Sequence, residues 1–207
     1  MDMPAAAVWW MQVPAEAQPL HESLPAAEWA RARNIRHPEN RQAFLWGRLL
    51  LRHCLAGNSG QTAQIPLHID AAGKPHSPDP ALPGFNLSHT RNWVAVATAP
   101  RGPVGIDLEW RQRQVPQEKL ARRFFHAREQ QEMQQEDFFT VWTRKEAWLK
   151  AEGGGLRGEW SLRNSYAATG WVFSAFRPLP ELQLCVCART VAATPQQVLA
   201  HQICPQS

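Results

Sequence analysis

The sequence lacks any apolar run approaching the roughly 20 residues that a membrane span requires, so a membrane role is not expected. Its first residues, Met1 to Met11, carry no basic flank ahead of their apolar stretch and are interrupted by Pro4, with Pro14 close behind. They do not read as a secretory leader. Cysteine is scarce: Cys54, Cys185, Cys187 and Cys204 fall short of a disulfide framework, and the reducing cytoplasm is the expected location. A dominant charge sign is missing as well. Against 22 Lys and Arg stand 18 Asp and Glu, giving +4 and a pI near 9.2, too small and too dispersed an excess for a nucleic-acid binder.

What is present suits a packed core. Ten Trp and eight Phe in 207 residues that are 44% hydrophobic exclude global disorder, and the length fits one large domain or two small halves. Residues 1–30, with four prolines, predict a short strand near Ala7–Gln12 and then an irregular approach. From Pro38 to Leu55 apolar residues alternate with Arg41, Arg48 and Arg52 at helical spacing, with Gly57–Gly60 as the stop. Ile65–Ile69 reads as a strand, and Phe85–His89 with Trp93–Thr98 as a hairpin joined across Thr90, Arg91 and Asn92. Pro100 and Gly102-Pro103 mark the best internal boundary, dividing the chain into residues 1–101 and 102–207. Beyond it the pattern predicts a strand over Val104–Trp110, a helix over Gln117–Gln135 interrupted near Phe125-His126, and a helix over Phe138–Glu152 stopped by Gly153-Gly154-Gly155. Strands are expected near Gly170–Phe176, Leu182–Ala188 and Val198–Ile203. Cys185 and Cys187 alternate with Leu and Val, which favours a buried strand over zinc, whose ligand pairs are usually spaced by two to four residues.

Three segments carry candidate chemistry. In Val104–Trp110 a period of two puts Gly105, Asp107 and Glu109 on one face, with successive same-face positions roughly 7 Å apart. Two carboxylates there can share a divalent cation, and Gly105 beside them is expected to leave room for a bulky anionic ligand. On the helix after Phe138, Glu146 and Lys150 are i,i+4 neighbours, which would otherwise be an ordinary surface ion pair. Gly73-Lys74-Pro75 presents a lysine on a rigid turn, and Ser88-His89 forms a small polar pair at a strand end.

Taken in order, Gly73-Lys74-Pro75, Phe85–His89, Gly105–Glu109, Phe124-Phe125 through Glu129, and Trp142-x-x-Lys145-Glu146-Ala147-x-x-Lys150-x-x-Gly153-x-Gly155-Leu156 resemble the signatures of the Sfp-type 4'-phosphopantetheinyl transferases. The resemblance implies an α+β pseudodimer of two similar α/β halves: a nucleotide-side half at residues 1–101 and a metal and carrier-docking half at 102–207. It implies an enzyme that moves the 4'-phosphopantetheine arm of coenzyme A to a serine of an acyl or peptidyl carrier protein, releasing 3',5'-adenosine bisphosphate. Asp107, Glu109 and Glu146 would hold Mg2+, with Glu146 also the base. Arg41, Lys74, Ser88 and His89 would contact the nucleotide's phosphates, and Lys150 the pyrophosphate. The same resemblance makes a monomer the expected state, since a pseudodimer encloses its own site, with neither nucleic acid nor membrane as partner. Several cations from separate elements suit a ligand with a pyrophosphate and a 3'-phosphate. The rivals are a nucleotide-binding adaptor without turnover and a nucleic-acid binder. Basic and apolar residues between Arg111 and Gln131 are the expected docking surface for an acidic carrier.

Overall fold

Strand Val104–Trp110 is buried on both faces, and the rest of the molecule is arranged to bury it. The computed structural model describes residues 5–17, 19, 21–56, 65–70, 73–100, 102–154, 162–189 and 198–203. Among the described residues nine strands run in chain order: β1 Ala6–Gln12, β2 His68–Ile69, β3 Pro75–His76, β4 Gly84–Thr90, β5 Trp93–Ala99, β6 Val104–Trp110, β7 Trp171–Phe176, β8 Leu182–Arg189 and β9 Val198–Gln202. Five α-helices among the same residues join them: α1 Ala26–Arg33, α2 Pro38–Ala56, α3 Gln117–Phe124, α4 Ala127–Glu132 and α5 Phe138–Glu152. One sheet has the order β4-β5-β1-β9, with β1 antiparallel to β5 and parallel to β9. The other is antiparallel, β6-β8-β7, and β2 pairs with β3 as a small separate hairpin.

The two sheets share a core. Val8 and Trp10 of β1, Ala95 and Ala97 of β5, Ile106 and Leu108 of β6, and Leu184 and Val186 of β8 bury one another. Leu50, Leu51 and Leu55 of α2 cover the outer face of the first sheet at Val94 and Val96. Ala147, Trp148, Leu149 and Ala151 of α5 cover the second at Cys185 and Cys187. This α/β/β/α layering explains why β5 and β8 read as nearly continuous apolar runs: neither has a solvent face. The cysteines are core residues, and burial pushes the Cys185 thiol up to about 12, which suits packing and not metal binding.

Several expectations shift. Helix α1 stands where an irregular approach was expected. Pro25, its extended N-cap, offers no side-chain cap, and only Glu28 and Ala32 are buried on it, too few for a legible stripe. The strand expected over Ile65–Ile69 shortens to His68–Ile69, because its partner is only Pro75–His76 across the positive-φ turn at Gly73. The hairpin loop is tighter than expected. Thr90 pairs with Trp93, leaving a two-residue turn in which Arg91 takes φ +48°. The interruption near Phe125-His126 is real: Phe125 is extended, and the His126 side chain caps α4. Gly153, at φ +85°, caps α5 as expected, whereas Gly57–Gly60, Gly155, Leu156 and Cys204 lie outside the described residues. Among the described residues no helix is long and apolar enough to cross a membrane.

Gly105 has a different role from the one expected of it. A Cβ there would lie 1.9 Å from the carbonyl oxygen of Ala147 and 2.6 Å from the amide nitrogen of Ala151. The space beside Gly105 is filled by the backbone of α5, not left for a ligand, so the glycine allows the helix to lie directly on the strand. Gly105→Ala should therefore cost about 3 kcal/mol or more, or prevent folding, since backbone cannot yield as a side chain can. Urea unfolding measures it, and a loss below about 1 kcal/mol would show that α5 can lift without penalty.

Candidate active site

The outer edge of β6 meets β4, and side chains satisfy the backbone there. Asn86 Oδ1 accepts from the Ile106 N–H at 3.0 Å, Ser88 Oγ from Leu108 at 3.2 Å, and Thr90 Oγ1 from Trp110 at 3.3 Å. This i, i+2, i+4 series fixes Asp107 opposite Ser88. The Ser88 hydroxyl donates to Asp107 Oδ1 at 3.1 Å.

Helix α5 brings the cation. Lys150 Nζ donates to Asp107 Oδ1 at 2.6 Å, to the Ile106 carbonyl at 3.2 Å and to Ser88 Oγ at 3.3 Å. Burial works against its charge, but Asp107 and then Glu146 outweigh burial and raise its pKa. Asp107 Oδ2, by contrast, is buried with no hydrogen-bond partner. Glu109 is pushed up to about 7 by burial and then by Asp107, despite Arg113, whose guanidinium lies 3.0 Å from Glu109 Oε1. Glu146 is likewise pushed up to about 7, by burial and then by Asp107. Three carboxylates thus crowd one lysine. Among the described residues no group of three or more His, Cys, Asp or Glu stands assembled as a ligand shell. Even so, an orphaned oxygen and two carboxyls raised by burial and mutual repulsion are a donor set whose chemistry fits a hard divalent cation.

Two cavities meet at this cluster. One of about 650 Å3 is lined by Ile35, Phe44, Arg48, Gly73, Lys74, Lys150 and Gly154, among others. The other, of about 520 Å3, is walled by Asp107, Glu109, Arg91 and Arg113. Asn40, Leu87, Ser88, His89 and Lys150 line both. Lys74 Nζ donates to the Lys150 carbonyl at 2.9 Å, joining the Gly73 turn to the end of α5. Burial lowers the Lys74 pKa and Lys150 lowers it further, against Asp70. At the cavity mouth His89 is held below its ordinary value by desolvation and then by Lys150, against Asp107.

Of the sequence-predicted residues, Lys74, Ser88, His89, Asp107, Glu109 and Lys150 line these cavities. Glu146 lines neither, but its charge acts on Glu109 and Lys150. Arg41 is not brought to them: its guanidinium donates to the Ile35 carbonyl at 2.8 and 3.2 Å. Sequence reasoning missed Arg48. It is 5% exposed, and one guanidinium nitrogen, NH1, has no hydrogen-bond partner. Its nearest carboxylate, Glu28, sits 3.9 Å away and is already bidentate to Arg52 at 3.2 Å for each bond. A signal was available: Asn40, Phe44, Gly47 and Arg48 form an i, i+4, i+7, i+8 stripe on α2 that excludes Arg41, and all four line the larger cavity.

Comparison with known proteins identifies a family. The family model of the 4'-phosphopantetheinyl transferase superfamily matches residues 103–182. The chain is 37% identical over 156 residues to 4'-phosphopantetheinyl transferase HetI of Nostoc sp., covering 70% of this chain and 66% of that protein. To 4'-phosphopantetheinyl transferase AcpT of Escherichia coli it is 33% identical, covering 72% and 76%. To 4'-phosphopantetheinyl transferase Sfp of Bacillus subtilis it is 31% identical, covering 61% and 58%. The matched segment thus spans just under two thirds of HetI's length and less of Sfp's.

The crowded carboxylates give a pH dependence with a definite sign. Glu109 and Glu146 titrate at about 7 in the fold against 4.5 as free groups. Between those values the folded state holds protons that the unfolded chain has released, so stability falls as pH rises through this window. In metal-free protein, Glu109→Gln with Glu146→Gln should melt above the wild type at about pH 8 and converge with it at about pH 4.5. A difference that does not change between the two would show that the carboxyls are not destabilised by their surroundings.

Proposed function

This chain belongs to the 4'-phosphopantetheinyl transferase superfamily, and we propose that it transfers the 4'-phosphopantetheine group of coenzyme A to a serine of an apo acyl or peptidyl carrier protein. The observation that carries this reading is the junction of the two cavities at Ser88, Lys150 and Asp107. One cavity can take a nucleotide, the carboxylate-walled one can take the pyrophosphate and the incoming serine, and Lys150 stands between them.

Asp107, Glu109 and Glu146 are the residues that would hold Mg2+. A bound divalent ion there would neutralise the pyrophosphate and make the nucleotide a better leaving group. The protein's own part is positioning. Lys150 and the Ser88 hydroxyl turn from Asp107 to the phosphate oxygens, while His89 contacts the phosphates from the β4 side. Glu146, raised to about 7, is suited to take the proton of the acceptor serine near neutral pH. The serine oxygen then bonds to the phosphorus bearing pantetheine, and the bond from that phosphorus to the bridging oxygen breaks. The bridging oxygen leaves on 3',5'-adenosine bisphosphate.

The 3'-phosphate belongs in the larger cavity. There Lys74 and Arg48 take the role that the motif assigned to Lys74 and Arg41, because Arg48 is under-neutralised and faces the space. Residues 1–101 and 102–207 act as the two halves of a pseudodimer, each with one long helix over one sheet. β9 crosses back to pair with β1, so the division is not clean. Because both halves lie in one chain, a cytoplasmic monomer suffices. Neither nucleic acid nor membrane is a partner on this reading: Arg111, Arg113, Arg128 and Arg177 are paired with carboxylates and form no basic face. The carrier docks on α3, where Arg122 is exposed and Arg123 stacks over Phe124.

Mass spectrometry of apo carriers incubated with the protein, coenzyme A and Mg2+ tests the proposal. A gain of one phosphopantetheine with release of adenosine bisphosphate is expected, and tight nucleotide binding without transfer would favour the adaptor reading. Asp107→Ala, Glu109→Ala and Glu146→Ala should each lower transfer about 100-fold or more while circular dichroism stays unchanged. Two of the three near wild-type activity would overturn the assignment of the carboxylates. Calorimetry distinguishes the arginines. Arg48→Ala and Lys74→Ala should weaken coenzyme A about tenfold more than dephospho-coenzyme A. Arg41→Ala should weaken both alike, and the opposite pattern would return the role to Arg41.

A further inference from the structure

We propose that Glu129 and Lys145, which line neither cavity, are positioning residues that set the rotation of α5 and so hold Glu146 and Lys150 against Asp107. The inference rests on the function proposed above for those two groups. Both Glu129 and Lys145 are completely buried, with Lys145 Nζ 2.5 Å from Glu129 Oε2. The same oxygen accepts from the His126 N–H at 2.9 Å, and Glu129 Oε1 accepts from the Ser165 N–H at 2.9 Å and the Ser165 hydroxyl at 2.7 Å. Lys145 also donates to the Arg163 carbonyl at 2.6 Å. One ion pair thereby ties the start of α4, the middle of α5 and residues 163–165 together.

Apolar packing also constrains that rotation: Trp148 and Leu149 lie with Ala147 against Cys185 and Cys187, and Arg144 donates to the Ser165 carbonyl at 3.2 Å. At the closest contact, however, Ala147 lies on Gly105, which sets how closely the helix approaches and by itself resists rolling little. A buried charge-assisted bond with four further hydrogen bonds has demands on distance and angle that apolar packing lacks. Lys145 and Glu146 are adjacent, about 100° apart around the helix, and Lys150 lies one turn on from Glu146. Anchoring Lys145 on the side away from the cavities therefore aims the next residue, and the one a turn later, toward Asp107. Stability alone would not require charges here, since a buried ion pair is often matched by an apolar pair of similar volume.

The test is the neutral double variant Glu129→Gln with Lys145→Met, which keeps an oxygen for Ser165 and leaves no unpaired charge. It is compared with wild type by thermal melting, hydrogen exchange over residues 143–151, Mn2+ affinity by electron paramagnetic resonance, and transfer kinetics. The expected result is a folded protein melting somewhat below wild type, because the His126 N–H loses its acceptor, with faster exchange in α5. Mn2+ affinity and kcat should each fall about 10-fold to 100-fold, as when a partner that orients a ligand is removed, with the carrier KM nearly unchanged. A folded double variant with wild-type exchange, Mn2+ affinity and kcat would overturn the proposal. So would losses that disappear once the unfolded fraction is corrected for, because the pair would then be structural only. Should the double variant not fold, Glu129→Asp, which keeps the charge but draws the lysine inward, should give the same losses, and wild-type values in it would overturn the proposal. Absence of transfer by the wild type would instead remove the functional reading, leaving exchange and Mn2+ affinity to decide whether the pair orients α5.

Discussion

The free edge of β6 is the constraint on which the rest depends. One edge of this strand pairs with β8, and on the other the N–H groups of Ile106, Leu108 and Trp110 have no strand to bond. Buried and unpaired, each would cost about 1–3 kcal/mol. Asn86, Ser88 and Thr90 remove that cost, and their spacing of two is the period of β4 itself. Because side chains and not backbone carbonyls span the gap, the two strands stand farther apart than a ladder would hold them. The gap is where the two cavities meet, so the contact that joins the sheets also leaves room for a ligand.

Ser88 illustrates how structural and chemical demands merge at this edge. Its hydroxyl accepts from Leu108 and Lys150 and donates to Asp107, which exhausts its one proton and both lone pairs. Lys150 is held by Asp107, Ser88 and the Ile106 carbonyl, while Glu109 and Glu146 rise toward 7. The site is thus a small set of charges with one cation too few. That imbalance is what a divalent ion and an anionic substrate would relieve together.

Much of this was legible in the sequence where one period ran without interruption. Val104–Trp110 and Phe138–Glu152 have the bounds that their patterns predict, because β6 and α5 each alternate or rotate cleanly between two environments. Helix α1 was not legible, since Pro25 and a single buried alanine conceal an eight-residue helix stabilised by Glu28 reaching Arg52 on α2. Gly105 was legible as important but not in its reason: a missing side chain in a sequence looks the same whether a ligand or a helix fills the space. Among the candidate site residues, those next to a motif glycine or on β6 fall into place. Arg41 does not, because on a helix a shift of one residue turns a side chain by about 100°.

That angular sensitivity explains why α2 and α5 are secured differently. α2 meets the first sheet through large apolar side chains, Leu50, Leu51 and Leu55, which resist rolling by shape. α5 must lie closer, because Lys150 has to reach the Ile106 carbonyl, and close approach requires Gly105 and Ala147 at the contact. Small residues at that contact leave the steric key to Trp148 and Leu149 beside it. Orientation is completed from the ends and the far side. Asp137 caps the first turn while paired with Arg111 and Arg177, Gly153 closes the last, and Lys145 fixes the middle to Glu129. The closeness that lets a helix deliver a lysine to a buried strand is thus what makes polar anchors on its opposite side necessary.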